Sequence, residues 1–199
     1  MISGVGGMGI LTASRIIAEA AMLEGKNVVM SEVHGLSQRY GMVNTNIRIG
    51  DVSSPLIKEG DAHVIIGLEP VEALRYAYMV RRGDGYIIVN TNPVPPPTVS
   101  AGFDQYPPVD RVLEALKQFT NNIIALNALE IAEKLGHPLL QNTVLLGILF
   151  ALKNFPLKRD SGEEAIKVVF SGKEKIIESN IKAFNEGYNI GLKKFEGNV

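Results

Sequence analysis

The sequence contains no cysteine. A chain without thiolates forms no disulfide, uses no Cys nucleophile and holds no cysteine-ligated zinc or iron–sulfur site of its own. A dominant charge sign is missing as well. Lys and Arg number 20 and Asp and Glu 21, for a formal net charge of -1. A nucleic-acid binder relies on a basic face, and this balance gives no sign of one. Long apolar runs are absent. The longest, Val144 to Leu152, is interrupted by Gly147 and falls far short of the roughly 20 residues that span a bilayer, so it reads as a buried helix. The first residues, MISGVGGMGI, lack the basic and apolar regions of a secretory signal, and a cytoplasmic location is expected. The three histidines, His34, His63 and His137, lack H-E-x-x-H spacing, and no metal site is expected. There is no G-x-S-x-G, and Gly172-Lys173 lacks the upstream glycine and following Ser or Thr of a P-loop.

What is present is ordinary globular composition. Of 199 residues, 46% are hydrophobic and 21% charged, enough for a real core without staples. Short β-rich runs alternate with helical patterns over the first two thirds. Strands are expected at Asn27–Met30, Asn44–Ile49, Ala62–Gly67, Tyr86–Asn90 and Asn122–Ala125. Helices are expected at Thr12–Glu24, Pro70–Arg82 and Asp110–Phe119, with Gly25 and Gly83 closing the first two and Pro70 opening the second. Such alternation predicts a three-layer α/β domain with a mainly parallel, Rossmann-like sheet. After Asn127 the pattern turns helical, so a core over 1–127 should be followed by a helical extension over 128–199. In Glu174–Phe195 a stripe of Ile177, Ile181, Phe184 and Tyr188 would dock on the parent domain or on a partner. Asn92-Pro93-Val94-Pro95-Pro96-Pro97 must run extended. It is either a stiff surface connection or a rigid wall at the carboxyl end of a strand, where α/β proteins bind ligands.

Two segments could carry chemistry. Gly4-Val5-Gly6-Gly7-Met8-Gly9 fits G-x-G-x-x-G. Its glycines would make a tight turn, admit a pyrophosphate and let helix and strand pack closely, with the helix N-terminus aimed at the anion. Glu32 stands about where a ribose-binding acid would lie. Only Met1-Ile2-Ser3 precede the loop, fewer residues than a usual strand. The alternatives are a nicotinamide site, a site for another anion, or a tight turn without ligand. The second segment, Glu32 to Gly41, packs donors, acceptors, His34 and Arg39 between glycines. Arg39 could clamp a carboxylate or phosphate through two parallel bonds, and His34 could move a proton or orient a partner. A solvated loop with Arg39 in an ion pair is the plainer alternative.

Taken together, four stretches resemble a known family: Ser3 to Thr12, Ser31 to Arg39 (S-E-V-H-G-L-S-Q-R), Leu68 to Tyr76 and Thr91 to Pro96. They resemble the γ-type domain of the 2-oxoacid:acceptor oxidoreductases, most strongly the small (beta) subunits of the indolepyruvate ferredoxin oxidoreductases, over nearly the whole chain. The E-V-H-G-x-S-Q-R run is far more specific than the glycine loop. The resemblance implies a subunit that is inactive alone, with no catalytic residue of its own. Its large (alpha) partner subunit would carry thiamine diphosphate and iron–sulfur clusters, with coenzyme A accepting the acyl group and ferredoxin the electrons. It implies ligand- or partner-facing roles for Gly4, Gly6, Gly7, Gly9, Glu32, His34, Gln38, Arg39 and Asn92, and it demotes the stand-alone NAD(P)-binding oxidoreductase. Two departures stand out. The family's first strand is longer, and Arg39-Tyr40-Gly41 replaces the Arg-Gly-Gly often found after Ser-Gln. A plain scaffold or interaction module is the third reading.

Overall fold

The computed structural model describes residues 1–35 and 41–196. Six strands form one mixed sheet flanked by helices: β1 (Ile2–Val5), β2 (Val28–His34), β3 (Met42–Ile49), β4 (Val64–Gly67), β5 (Tyr86–Asn90) and β6 (Ile123–Leu126), in the order β2-β3-β1-β4-β5-β6. β1, β4, β5 and β6 run parallel, with Ile2 beside Ile66, Ile65 beside Ile87 and Val89 beside Ala125. β3 is antiparallel to β1, pairing Ile2 with Thr45 and Val5 with Met42. The α/β class matches expectation, and the antiparallel β3 makes the sheet mixed. The chain divides into two compact units, each drawn from several segments.

The first unit comprises Met1–Ile10, Glu32–Asn46 and Leu56–Asn127. Its core is the β4–β5 centre, where Ile65, Ile87 and Val89 are shut from solvent together with Ala73, Ala77 and Leu116 of the crossover segments. Gly67 lets α2 (Pro70–Arg75) lie close, since a Cβ there would sit 2.3 Å from the Ala73 Cβ. The helix expected over Pro70–Arg82 ends early, at Arg75, and a 3-10 turn follows at Ala77–Met79. The cause is non-local. Ala62 N–H donates to the Met79 carbonyl and Arg81 N–H to the Ala62 carbonyl, both at 2.9 Å, which draws Val80 into an extended bridge with Ala62. The proline run is extended through Pro96, but Pro97 opens a short helix, α3 (Pro97–Ser100), where its missing N–H costs nothing. The next helix, α4, covers Val109–Leu116.

The second unit comprises Leu11–Ser31, Ile47–Pro55 and Ala128–Val199. It holds nearly all of α1 (Ile10–Leu23), with α5 (Ala128–Lys134), α6 (Gln141–Phe150), α7 (Arg159–Val169) and α8 (Glu174–Glu196). Every residue of α6 from Thr143 to Phe150 is buried, as a helix apolar on all sides must be. Small residues set how closely α6 and α8 approach. A Cβ on Gly147 would lie 2.0 Å from the Phe184 carbonyl oxygen, and one on Gly187 would lie 1.9 Å from that of Val144. Thr143 and Asn180 form a polar pair at this contact. Thr143 Oγ1 donates to Asn180 Oδ1 at 2.6 Å, and Asn180 Nδ2 donates to the Ile176 carbonyl at 2.8 Å. Phe150 stands edge-on to Phe184 and to Phe155, at 5.1 and 4.9 Å between ring centres. Among the described residues no helix is long and apolar enough to cross a membrane.

Gly25, at φ +68°, closes α1 as expected, with Lys26 N–H donating back to the Ala21 carbonyl. Glu24 beside it ties α1 to the start of α7. Its carboxylate accepts the Lys158 N–H at 2.6 Å, the Ser161 hydroxyl at 2.5 Å and the Lys26 ammonium at 2.8 Å. Burial would raise its pKa, but these donors prevail and bring it down to about 2.

Two outcomes are expected. Gly187→Ala forces α6 and α8 apart and should cost about 3 kcal/mol or more, read from urea unfolding. Because the Glu24 pKa falls on folding, its contribution is present above the ordinary carboxylate pKa near 4.5 and is lost as pH drops toward 2. Wild type should therefore lose about 2 kcal/mol more than Glu24→Gln between pH 6 and pH 2.5, measured by denaturant titration at both values.

Candidate functional site

The parallel strands β1, β4 and β5 end on one edge of the first unit, where open α/β sheets present ligand-binding turns. Three stretches emerge there: residues 6–9 after β1, Leu68-Glu69 after β4, and Thr91–Val94 after β5.

Gly4 lies within β1 and serves packing. Its position faces the Leu68 and Ile10 side chains, where a Cβ would be 3.1 and 3.3 Å away. The turn itself is made by Gly7 and Gly9, at φ +97° and +78°, conformations that disfavour a Cβ. Two of the loop's amides are already used. Gly6 N–H donates to the Gly41 carbonyl at 2.8 Å, and Met8 N–H donates to the Val5 carbonyl at 3.1 Å. The glycine loop and Gly41 are thus joined by a main-chain bond.

Glu32 and His34 sit on a strand instead of in a loop, because β2 runs on from the expected Met30 to His34. The β-branched Val33 continues the extended pattern that the polar residues around it disguise. The His34 Nε2 to Glu32 Oε1 distance is 2.5 Å. Glu32 is not placed as a ribose-binding acid would be. In a dinucleotide fold that acid ends the strand beside the glycine loop's strand, whereas here β3 lies between β2 and β1. Gln38 and Arg39 lie outside the described residues. Asn92 follows β5, and its N–H donates to the buried Asn90 side chain at 3.3 Å.

The organising group of this edge is one the sequence reading left aside. Glu69 is 1% exposed. Its Oε2 caps α2 by accepting the Glu72 N–H at 2.9 Å. Its Oε1 accepts the Val94 N–H at 3.4 Å and the Tyr106 hydroxyl. One carboxylate therefore fixes the start of α2, the proline run and the stretch before α4. Burial, reinforced by Glu69, pushes the Tyr106 phenol pKa well up, so it stays a donor. Burial also raises the Glu72 pKa, partly offset by Arg75, whose Nε lies 3.1 Å from Oε2. An acid directly before Pro at the first helical position is a legible cap signal; that it also holds a segment 25 to 37 residues away is not. Asn44 Nδ2 donates to the Tyr76 hydroxyl at 2.9 Å, linking β3 to the residue that ends α2.

These features describe a rigid, strapped strand edge, and comparison with known proteins gives it a lineage. The family model of pyruvate ferredoxin/flavodoxin oxidoreductase matches residues 1–190. The indolepyruvate oxidoreductase subunit IorB of Archaeoglobus fulgidus is 47% identical over 192 residues, covering 96% of this chain and 94% of that protein. Its namesake in Methanothermobacter thermautotrophicus is 39% identical over 187 residues, covering 94% of each. Among solved structures, the gamma subunit of a keto/oxoacid ferredoxin oxidoreductase from Geobacter sulfurreducens superposes with a TM-score of 0.68 at 25% identity, covering 96% of both chains. With the match spanning both compact units and the whole strapped edge, the chain belongs to the pyruvate ferredoxin/flavodoxin oxidoreductase family.

Proposed function

We propose that this chain is the small subunit of a ferredoxin-dependent oxidoreductase that decarboxylates arylpyruvate-type 2-oxoacids, indolepyruvate foremost, to acyl-CoA. The observation that carries this reading is the 47% identity to an indolepyruvate oxidoreductase subunit of nearly the same length. The large partner subunit carries thiamine diphosphate and the iron–sulfur clusters. The small subunit cannot hold a cysteine-ligated cluster, since it has no cysteine. Its contribution is a shaped surface, the carboxyl edge of β1, β4 and β5, which closes part of the active complex. On that edge Gly7 and Gly9 allow main chain to approach an anionic ligand or the partner. Gly4 and Gly6 hold the turn in place. Arg39 supplies a fixed cation for a carboxylate or phosphate, and His34, Gln38, Glu32 and Asn92 supply polar contacts. The protein acts in the cytoplasm, where its electron acceptor is found.

The reading is tested by reconstitution. The purified chain should be colourless and without turnover, and addition of the large subunit should restore dye reduction dependent on both 2-oxoacid and coenzyme A. Full activity of the chain alone would overturn it. Arg39→Ala should leave the complex assembled on gel filtration yet lower its turnover; unchanged turnover would reduce the chain to a scaffold. Tyr106→Phe removes one donor from the buried Glu69 and should cost about 1–2 kcal/mol in urea unfolding. Because it loosens the strap without touching the chemistry, it should raise the subunit concentration needed for half-maximal activity and leave the maximum unchanged. An unshifted titration would place the strap away from the partner.

A further inference from the structure

β6 closes the sheet on the side opposite β2, and among the described residues no strand pairs with its outer edge. Ile87 N–H donates to the Asn122 carbonyl and Thr91 N–H to the Leu126 carbonyl, both at 2.9 Å. These bonds set the phase of the parallel ladder, so residues 122, 124 and 126 direct their main chain toward β5. Alternate residues of a strand face opposite edges, and Ile123 and Ala125 therefore direct theirs outward. Ile123 N–H is taken by the Asn121 carbonyl at 3.1 Å. The Ile123 carbonyl and both main-chain groups of Ala125 are left aimed away from the sheet. The strand reads Ile-Ile-Ala-Leu after two asparagines. It carries neither the charge nor the proline that commonly blunts an open edge.

A groove of about 540 Å³ runs along this edge, floored by Ile123 and Ala125 and walled by α4. The wall is one helix face, Asp110, Leu113, Glu114 and then Lys117 at the helix end, spaced i, i+3, i+4 and i+7. An acid opens this face, a cation closes it and an apolar residue lies between. Such a pattern is complementary to its own reverse. A two-fold axis normal to the sheet would place two β6 strands antiparallel, edge to edge. It would also place two α4 helices antiparallel on the same side of the joined sheet. Asp110 of each copy then faces Lys117 of the other, and the two Leu113 side chains meet near the axis. Lys117 already holds Glu114 at 2.7 Å, so Glu114 stays compensated. An isologous contact requires this self-complementarity, and an unrelated extended peptide would have no reason to match it.

We infer that the open β6 edge and the Asp110–Lys117 face of α4 form a two-fold interface between two copies of this chain, joining their sheets into one. The contact is short and partly ionic, and it brings two small subunits together within the larger enzyme.

Sedimentation velocity of the full chain at rising concentration tests this. A salt-weakened monomer–dimer equilibrium is expected. Lys117→Glu should weaken it about tenfold, and Asp110→Lys combined with Lys117→Glu should restore it. Ala125→Pro removes an N–H that the fold does not use and should abolish the dimer while leaving urea unfolding nearly unchanged. In the complex with the large subunit, Glu114→Cys introduces the chain's only thiol, and a short bis-maleimide should link two copies of this chain. The inference is overturned by a chain that stays monomeric, by a dimer indifferent to both Lys117→Glu and Ala125→Pro, or by failure of the double charge exchange to restore association. Cross-linking to a different subunit would equally overturn it and assign the edge to that subunit.

Discussion

A carboxylate shut from water survives only if its lone pairs are filled, and Glu69 meets that demand with donors from three parts of the chain. The requirement works as a positional constraint. The start of α2, the proline run and Tyr106 must each bring a donor to one point, so none moves independently. Gly67 makes the arrangement reachable, because any side chain there would drive into Ala73 and lift the helix whose cap Glu69 provides. The proline run adds stiffness with few main-chain donors, and Val94, the one residue between Pro93 and Pro97 that is not proline, supplies the N–H that anchors it. The strand edge is therefore fixed in advance, and in the role proposed for it this lowers the ordering cost of assembly.

The second unit solves a different problem with a similar economy. α6 is apolar on every side, and a helix of that kind gains stability only if its neighbours come very close. Gly147 and Gly187 permit that approach by giving up side chains, and the Thr143–Asn180 pair supplies a polar match within the contact. Glu24 then joins the end of α1 to the start of α7 through donors that keep it ionised well below the usual range.

Much of this was legible in the sequence. Tyr86–Asn90, a β-rich run, is a buried parallel strand as expected, and Gly25 and Pro70 mark helix ends. What was not legible shares one cause, pairing between residues far apart in the chain. The helix beginning at Pro70 stops at Arg75 because Val80 is claimed by Ala62, and no local propensity encodes that. β3 entering antiparallel beside β1 separates Glu32 from the glycine loop, although the spacing of the two resembles a dinucleotide fingerprint. At the strand edge, the glycine loop is marked by its G-x-G-x-x-G spacing, and Asn92 is named only by the family resemblance. The wider role of Glu69 has no such signal, since nothing in its neighbourhood announces that Val94 and Tyr106 fold back onto it.

The bond from Gly6 N–H to the Gly41 carbonyl bears on how this surface could be altered by design. In sequence the glycine loop and the segment ending at Gly41 look like separate modules, each open to exchange with a relative's version. In the folded chain the geometry of one is read by the other through the Gly6 amide. A chimera that imports either stretch alone would pair a foreign turn with a native anchor, so the two must be transplanted together.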